Sequence, residues 1–380
     1  MEQKKWARLL RRVAPASWIL FAAWAAALAG CSDVSRIVVV NGSASAMSVL
    51  DLALPPRLTD GFGGIELGPS ANRVVVRGPE AFVVSSGTFG SAQDASIRVI
   101  DLESASVVRT IPLPDGDSPW AMAFVDDHKA YVTNLYADSI TIVDPQLDGA
   151  AAILGRIDLH EGSAPEGIIV HEGRAYTANT GLSLETFLYG PGTLSVIDTS
   201  SDTVVDADGD PSNGADTPVS LAGVNAQDLE VDPGGALWVA CTGDWAATAG
   251  TVDIVDTATL SLEDSLAVGG APGAVGIGAG VVLLGDGAGA RLFAADLQSR
   301  TVIHDASNPV VLSTTPWSFV PEIRFDRSGQ VAYALGYMDD AIFEMIVPNG
   351  RVKLRNQYRL EAGSGPAGLA LVYEQDPDMD

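Results

Sequence analysis

A block of about fifty residues recurs along this chain, and no other sequence feature restricts the fold so tightly. One copy opens with Ser118-Pro119-Trp120-Ala121-Met122-Ala123-Phe124-Val125 and turns at Asp126-Asp127-His128. It continues through Lys129-Ala130-Tyr131-Val132-Thr133-Asn134 and closes with Asp138-Ser139-Ile140-Thr141-Ile142-Val143-Asp144. The next copy repeats the plan as Ala164-Pro165-Glu166-Gly167, then Arg174-Ala175-Tyr176-Thr177-Ala178-Asn179, then Gly192-Thr193-Leu194-Ser195-Val196-Ile197-Asp198. Looser copies begin near Arg73, Asn225, Ala271 and Val320. Each holds three short runs of β-branched and aromatic residues bounded by Gly, Asp and Asn, with a weaker fourth such as Val107–Ile111. Such runs read as strands. Four strands per unit at this period are the pattern of propeller blades.

The two ends complete the count. The last apolar run, Gly365-Pro366-Ala367-Gly368-Leu369-Ala370-Leu371-Val372, opens a unit that has no continuation. Arg36-Ile37-Val38-Val39-Val40-Asn41 and Met47-Ser48-Val49-Leu50-Asp51 supply the missing part from the other terminus. Six internal units and this composite predict an all-β, seven-bladed β-propeller over residues 36–373, closed by strands from both termini. Closure of that kind leaves no frayed outer edge. Residues 1–30 read as a signal peptide, 31–35 as a short tether and 374–380 as a solvated acidic tail.

Ala130-Tyr131-Val132-Thr133-Asn134 followed by Ser139-Ile140-Thr141-Ile142-Val143-Asp144 resembles the YVTN-type propeller repeat of bacterial and archaeal envelope proteins. The pattern covers essentially residues 36–372 and speaks for the fold, because propellers carry unrelated activities. A weaker resemblance extends to seven-bladed lactonases and streptogramin lyases. It implies that any His, Glu or Arg chemistry would sit around the mouth of the central channel.

The N-terminal segment places Lys4, Lys5, Arg8, Arg11 and Arg12 before an apolar run from Trp18 to Leu28. That run is shorter than the ~20 residues needed to span a bilayer. It ends at Leu28-Ala29-Gly30-Cys31, which is similar at all four positions to the lipobox of bacterial lipoprotein precursors. The resemblance implies cleavage before Cys31 and acylation of that cysteine, hence attachment to a membrane. The Arg11-Arg12 pair lacks the Ser and Phe that accompany twin-arginine signals, which favours general secretion. Ser32 rather than Asp follows Cys31. By the same resemblance this favours the outer membrane, on its periplasmic or surface face.

The whole chain carries 22 Lys+Arg against 48 Asp+Glu. Removing the five basic residues and Glu2 of the first thirty leaves 17 against 47, a net charge of −30. A surface so acidic repels phosphate backbones, so nucleic acid is not an expected partner. With Cys31 acylated, Cys241 has no partner for a disulfide. Its setting in Leu237-Trp238-Val239-Ala240-Cys241 reads as a buried small hydrophobe.

Few residues invite chemistry. His128 and His171 fall at turns whose counterpart elsewhere is Asp232-Pro233-Gly234, and His160 and His304 have no partner set in the sequence. No triad, zinc spacing or phosphate loop is present, so no catalytic residue is assigned. The start of each innermost strand lies beside the channel in a propeller. That register nominates Trp120, Glu166, Gln227, Asp228 and Glu322 as a mouth that could receive a cation or a sugar-like ligand, or simply rim a water-filled channel. A separate loop, Asp206-Ala207-Asp208-Gly209-Asp210-Pro211-Ser212-Asn213-Gly214-Ala215-Asp216, sets hard oxygens at alternate positions. Asp206, Asp208, Asp210, Asn213 and Asp216 are therefore candidate Ca²⁺ ligands. The same residues are also ordinary turn formers. Pro211 and Thr217 depart from an EF-hand loop, where a Gly and a closing Glu belong.

The chain thus reads as a membrane-anchored envelope lipoprotein whose propeller is a binding or scaffolding platform for a protein or small ligand. The alternative is a periplasmic or surface hydrolase or lyase of lactonase-like propeller type, acting at the channel mouth.

Overall fold

Antiparallel pairing of consecutive runs builds seven sheets, each wound outward from a strand beside a central channel. The computed structural model describes residues 34–373 apart from 211, 213, 215 and 245–248. The expected signal segment at 1–30, Cys31, Asn213 and the tail at 374–380 lie outside the described residues.

The first blade comprises β4 (Ala71–Arg77), β5 (Glu80–Ser85), β6 (Ser96–Asp101) and β7 (Ser106–Pro112). The second comprises β8 (Pro119–Phe124), β9 (Ala130–Asn134), β10 (Ser139–Val143) and β11 (Ile153–Asp158). In the third, β12 (Pro165–His171), β13 (Arg174–Asn179) and β14 (Pro191–Asp198) are followed by an interrupted outer strand. Its two pieces, β15 (Thr203–Val205) and β16 (Val219–Val224), both pair with β14. The fourth holds β17 (Ala226–Val231), β18 (Ala236–Cys241), β19 (Thr251–Asp256) and β20 (Ser261–Ala267). The fifth holds β21 (Pro272–Gly278), β22 (Val281–Asp286) and β23 (Arg291–Asp296), with β24 (Thr301–His304) and β25 (Val310–Val311) sharing the outer edge. The sixth holds β26 (Ile323–Phe325), β27 (Val331–Gly336), β28 (Ala341–Ile346) and β29 (Lys353–Arg359).

The closing blade is composite, as the ends of the sequence indicate. Its inner strand is the last of the chain, β30 (Pro366–Tyr373). It pairs with β1 (Val34–Asn41), which pairs with β2 (Ala46–Asp51) and then β3 (Arg57–Thr59). β1 begins at Val34, two residues before the expected start, because Val34 still pairs with Tyr373 across a register shift. The inner strands β30, β4, β8, β12, β17, β21 and β26 neighbour one another in a closed ring. Three short 3₁₀ turns are the helical content among the described residues, and no helix there is long and apolar enough to cross a membrane.

The repeated residues have physical roles. The central position of each second strand carries Val38, Phe82, Tyr131, Tyr176, Trp238, Leu283 or Tyr333, all buried between adjoining blades. Burying each such side chain is worth roughly 2–3 kcal/mol. The Asn that ends the repeat core ties second strand to third: Asn134 Nδ2 donates to Ser139 and Thr141 hydroxyls, each at 2.9 Å. Asn179 and Asn41 do the same toward Ser195 and Ser48. Cys241 is buried in β18, and burial pushes its thiol well above the usual range, as expected of a packing residue.

Direction alternates along each blade. The connections between second and third strands, and those leading into the next inner strand, therefore share one face. Because the inner strands start there, it is the mouth face.

Candidate functional site

One position, two residues into the inner-strand segment, recurs in all seven blades as Asn72, Trp120, Glu166, Gln227, Gly273, Glu322 and Ala367. The backbone at this level is locked blade to blade by hydroxyls. Ser86 Oγ donates to the Pro119 carbonyl at 2.5 Å, Thr133 Oγ1 to Glu166 at 2.7 Å and Thr242 Oγ1 to Pro272 at 2.8 Å. The ring encloses a cavity of about 400 Å³ lined by Asn72, Arg73, Trp120, Glu166, Tyr189, Gln227, Phe319 and Tyr337. A Cβ at Gly273 would come within 2.8 Å of Gln227 Oε1, the end of a flexible side chain that would have to move aside.

The aromatic wall comes mainly from the connections. Phe319 and Tyr337 stack with centroids 4.5 Å apart and planes 19° from parallel. The segment carrying Phe319 is held by Asp339, which accepts hydrogen bonds from the Ser313, Thr315 and Ser318 hydroxyls. Tyr189 arrives on the 180–190 loop, whose base is pinched where Gly190 N donates to Gly181 O at 2.9 Å. Gly181 has a positive φ, and a Cβ there would meet Gly190 Cα at 3.0 Å. An adjoining chamber of about 300 Å³ shares Asn72, Trp120 and Tyr337 and extends under the 86–95 loop to Phe89.

Among the described residues, the channel carboxylates other than Glu166 have an ion-pair or hydrogen-bond partner. Glu322 is buried and ion-paired with Arg73 at 3.3 Å and with Arg324. Arg73 also donates to the Ala367 carbonyl at 3.1 Å. Asp228 accepts from the Val275 N–H at 2.9 Å, and Glu230 from the Ile277 N–H at 3.1 Å. Glu166, by contrast, is 5% exposed and its carboxylate accepts no hydrogen bond from a described residue. Burial holds its pKa up at about 8, with Arg73 opposing and Asp228 adding to the rise. Burial likewise raises Glu230 to about 7, partly offset by Arg324. Tyr189 is raised by burial and then by the neighbouring Glu166.

Of the five residues nominated from the register, Trp120, Glu166 and Gln227 line the cavity together. Glu322 and Asp228 do not line it: the first is drawn to the two arginines, the second to the next blade's backbone. Arg73 escaped the sequence reading although it adjoins the recurrent position; the residues from connections, Tyr189, Phe319 and Tyr337, have no repeat register that could reveal them. Among the described residues, no histidine lines this cavity. His171 lies instead beside a cavity of about 490 Å³ at the opposite end of the channel, with Glu230, Asp232 and Asp326.

The Asp-rich loop interrupts the outer strand of the third blade, between β15 and β16. Asp208 accepts from the Asp210 N–H and Asp210 from the Ser212 N–H, both at 2.9 Å, while Asp216 sits 3.6 Å from His160 Nδ1. Burial raises Asp206, with Asp208 adding to the rise. Among the described residues, no group of three or more His, Cys, Asp or Glu side chains is gathered in a metal-holding arrangement. Asn213, the fifth proposed ligand, lies outside them.

No protein-family model matches the chain, and no curated protein matches it in sequence. Solved structures do share its fold. Kuenenia stuttgartiensis hydrazine synthase superposes with a TM-score of 0.60 at 13% identity, over 82% of this chain and 98% of that one. Virginiamycin B lyase from Staphylococcus aureus gives 0.57 at 13% identity, over 78% and 87%. A Bacteroides caccae protein of unknown function gives 0.50 at 14% identity, over 78% and 100%. What is shared at such identities is the propeller.

Proposed function

We propose that this protein is a lipid-anchored envelope component whose propeller binds a small ligand at the mouth of its central channel. The observation that carries the reading is the cavity itself. Residues from separate blades and from non-repeating connections converge on one concave space, with four aromatic side chains and a few placed polar groups, the usual form of a ligand site. No nucleophile–base pair lines it, which favours binding over catalysis.

The anchor follows from the lipobox resemblance at Cys31, three residues before β1. β1 is the second strand of its blade, so Val34 starts at the face opposite the mouth. Three residues reach only about 10 Å. The tether therefore holds that opposite face toward the bilayer and leaves the mouth open to the compartment, the outer membrane being the expected site. Exposed Phe89, Phe187 and Trp317 lie in mouth-face connections, away from the anchor.

Two measurements test the proposal. Metabolic labelling with a palmitate analogue should mark the wild type and not Cys31→Ala; label on both removes the anchor assignment. A thermal-shift screen of small metabolites should yield ligands that stabilise the wild type and not Trp120→Ala. A screen without hits, or hits insensitive to Trp120, removes the mouth as the binding site.

A second reading, a hydrolase or lyase, draws on Glu166, because a carboxyl kept protonated near neutrality beside a cavity suits a general acid. It requires a turnover that Glu166→Ala abolishes while leaving the fold intact.

A further inference from the structure

The polar groups along the channel differ in one respect that bears on ligand chemistry. Asp228 and Glu230 each hold a backbone N–H of the next blade, and Glu322 holds two arginines. Arg73 is already engaged with Glu322 and with the Ala367 carbonyl. Glu166 is left as a buried carboxyl to which no described residue donates a hydrogen bond, facing a cavity walled by Trp120, Tyr189 and the stacked Phe319–Tyr337 pair. A buried carboxylate without a counter-charge is costly. Aromatic faces attract cations once water is excluded. The four channel carboxylates outnumber the two channel arginines, and the chain as a whole is strongly acidic, so the surrounding field favours positive ligands.

We propose that the mouth cavity binds a small organic ammonium ion, with Glu166 as its counter-charge and the aromatic wall as its enclosure. This rests on the reading of the mouth as a ligand site and names the class of ligand. The ammonium supplies what Glu166 lacks: a counter-charge of its own, since the guanidinium of Arg73, which also lines the cavity, is held by Glu322. Binding stabilises ionised Glu166, so affinity tightens as pH rises from 6 to 9. The titratable groups facing Glu166 there are Arg73, Asp228 and Tyr189.

The test is calorimetric titration of the full chain with choline and with 3,3-dimethylbutan-1-ol, its uncharged isostere. Choline is expected to bind about tenfold more tightly than the isostere, and Glu166→Gln to erase that difference, in keeping with the strength of a desolvated cation site. Trp120→Leu weakens choline as a second, charge-neutral variant. Melting at pH 5, where Glu166 is protonated, shows that both variants are folded. Equal affinity for choline and isostere overturns the cation proposal and leaves the mouth as a ligand site. Failure of both to bind also overturns it, and the metabolite screen then decides the broader reading separately. Because ammonium groups also occur on lipids, phosphatidylcholine vesicles form a further arm. Co-sedimentation sensitive to Glu166→Gln assigns the ammonium to a headgroup, and choline binding without it assigns a free metabolite.

Discussion

The two faces of the propeller are built by different rules. Opposite the mouth the connections are short and alike: residues 78–79, 172–173 and 279–280 suffice between first and second strands. The next turns repeat one device. Asp101, Asp198, Asp256 and Asp296 each end a third strand and accept from an N–H and a hydroxyl two or three residues on. These bonds, the hydroxyl of Ser200 foremost, lower Asp198 to about 2, and similar bonds lower the other three. On the mouth face the loops at 86–95 and 180–190 share neither length nor residues with the four-residue connection at 135–138. Turn geometry constrains the first face and holds it to a pattern. The second is free to vary, and in repeat proteins the variable face is commonly the binding one.

The largest way to stress this division is Trp238→Ala, which removes a fully buried indole and its hydrogen bond to Asp232. Urea unfolding should show a loss of about 3–5 kcal/mol. Trp120→Ala at the mouth should cost far less stability and abolish ligand response; a mouth variant as damaging as the core one would erase the distinction.

Next comes the pH dependence set by Glu166. Its folded pKa of about 8 lies above the unfolded value, so the folded state binds the extra proton between roughly pH 4.5 and 8. Stability therefore falls as pH rises through that window, and Glu230, at about 7, adds to the fall. Glu166→Gln should remove roughly 4 kcal/mol of this decline between pH 5 and 9. A variant that declines as steeply as the wild type would show that another group carries it.

The turn aspartates act with the opposite sign. Their folded pKa values lie below the unfolded 3.8, so their contribution is present above that pH and is lost as pH falls toward 2. Asp198→Asn should lower the melting temperature modestly at pH 7 and flatten its drop below pH 4. A drop as steep as that of the wild type would locate acid sensitivity elsewhere.

The smallest effect is expected at Phe89, which is 93% exposed on a mouth-face loop. Phe89→Ser should change stability by no more than about 0.5 kcal/mol. A larger loss would mean that the loop is part of the scaffold.

The sequence by itself determined the blade number, the four-strand plan and closure by both termini, because strand periodicity and turn residues are local and recur seven times. It also placed Trp120, Glu166 and Gln227 at one level, since register in a repeat carries from blade to blade. What those positions do was decided by the closed ring. Arg73 and Glu322, 249 residues apart, meet only because the composite blade brings the first and sixth blades together, and that pairing withdraws Glu322 from the mouth. Asp228 is diverted by an N–H of the next blade, while Tyr189, Phe319 and Tyr337 enter from connections with no repeat to announce them. A backbone pattern is set by neighbours along the chain, but a long side chain's direction and charge are set by partners that only the fold supplies. Glu166 stands apart at the mouth because the guanidiniums of Arg73 and Arg324 are held by Glu322 and no described residue donates a hydrogen bond to its carboxyl, a condition no stretch of sequence contains.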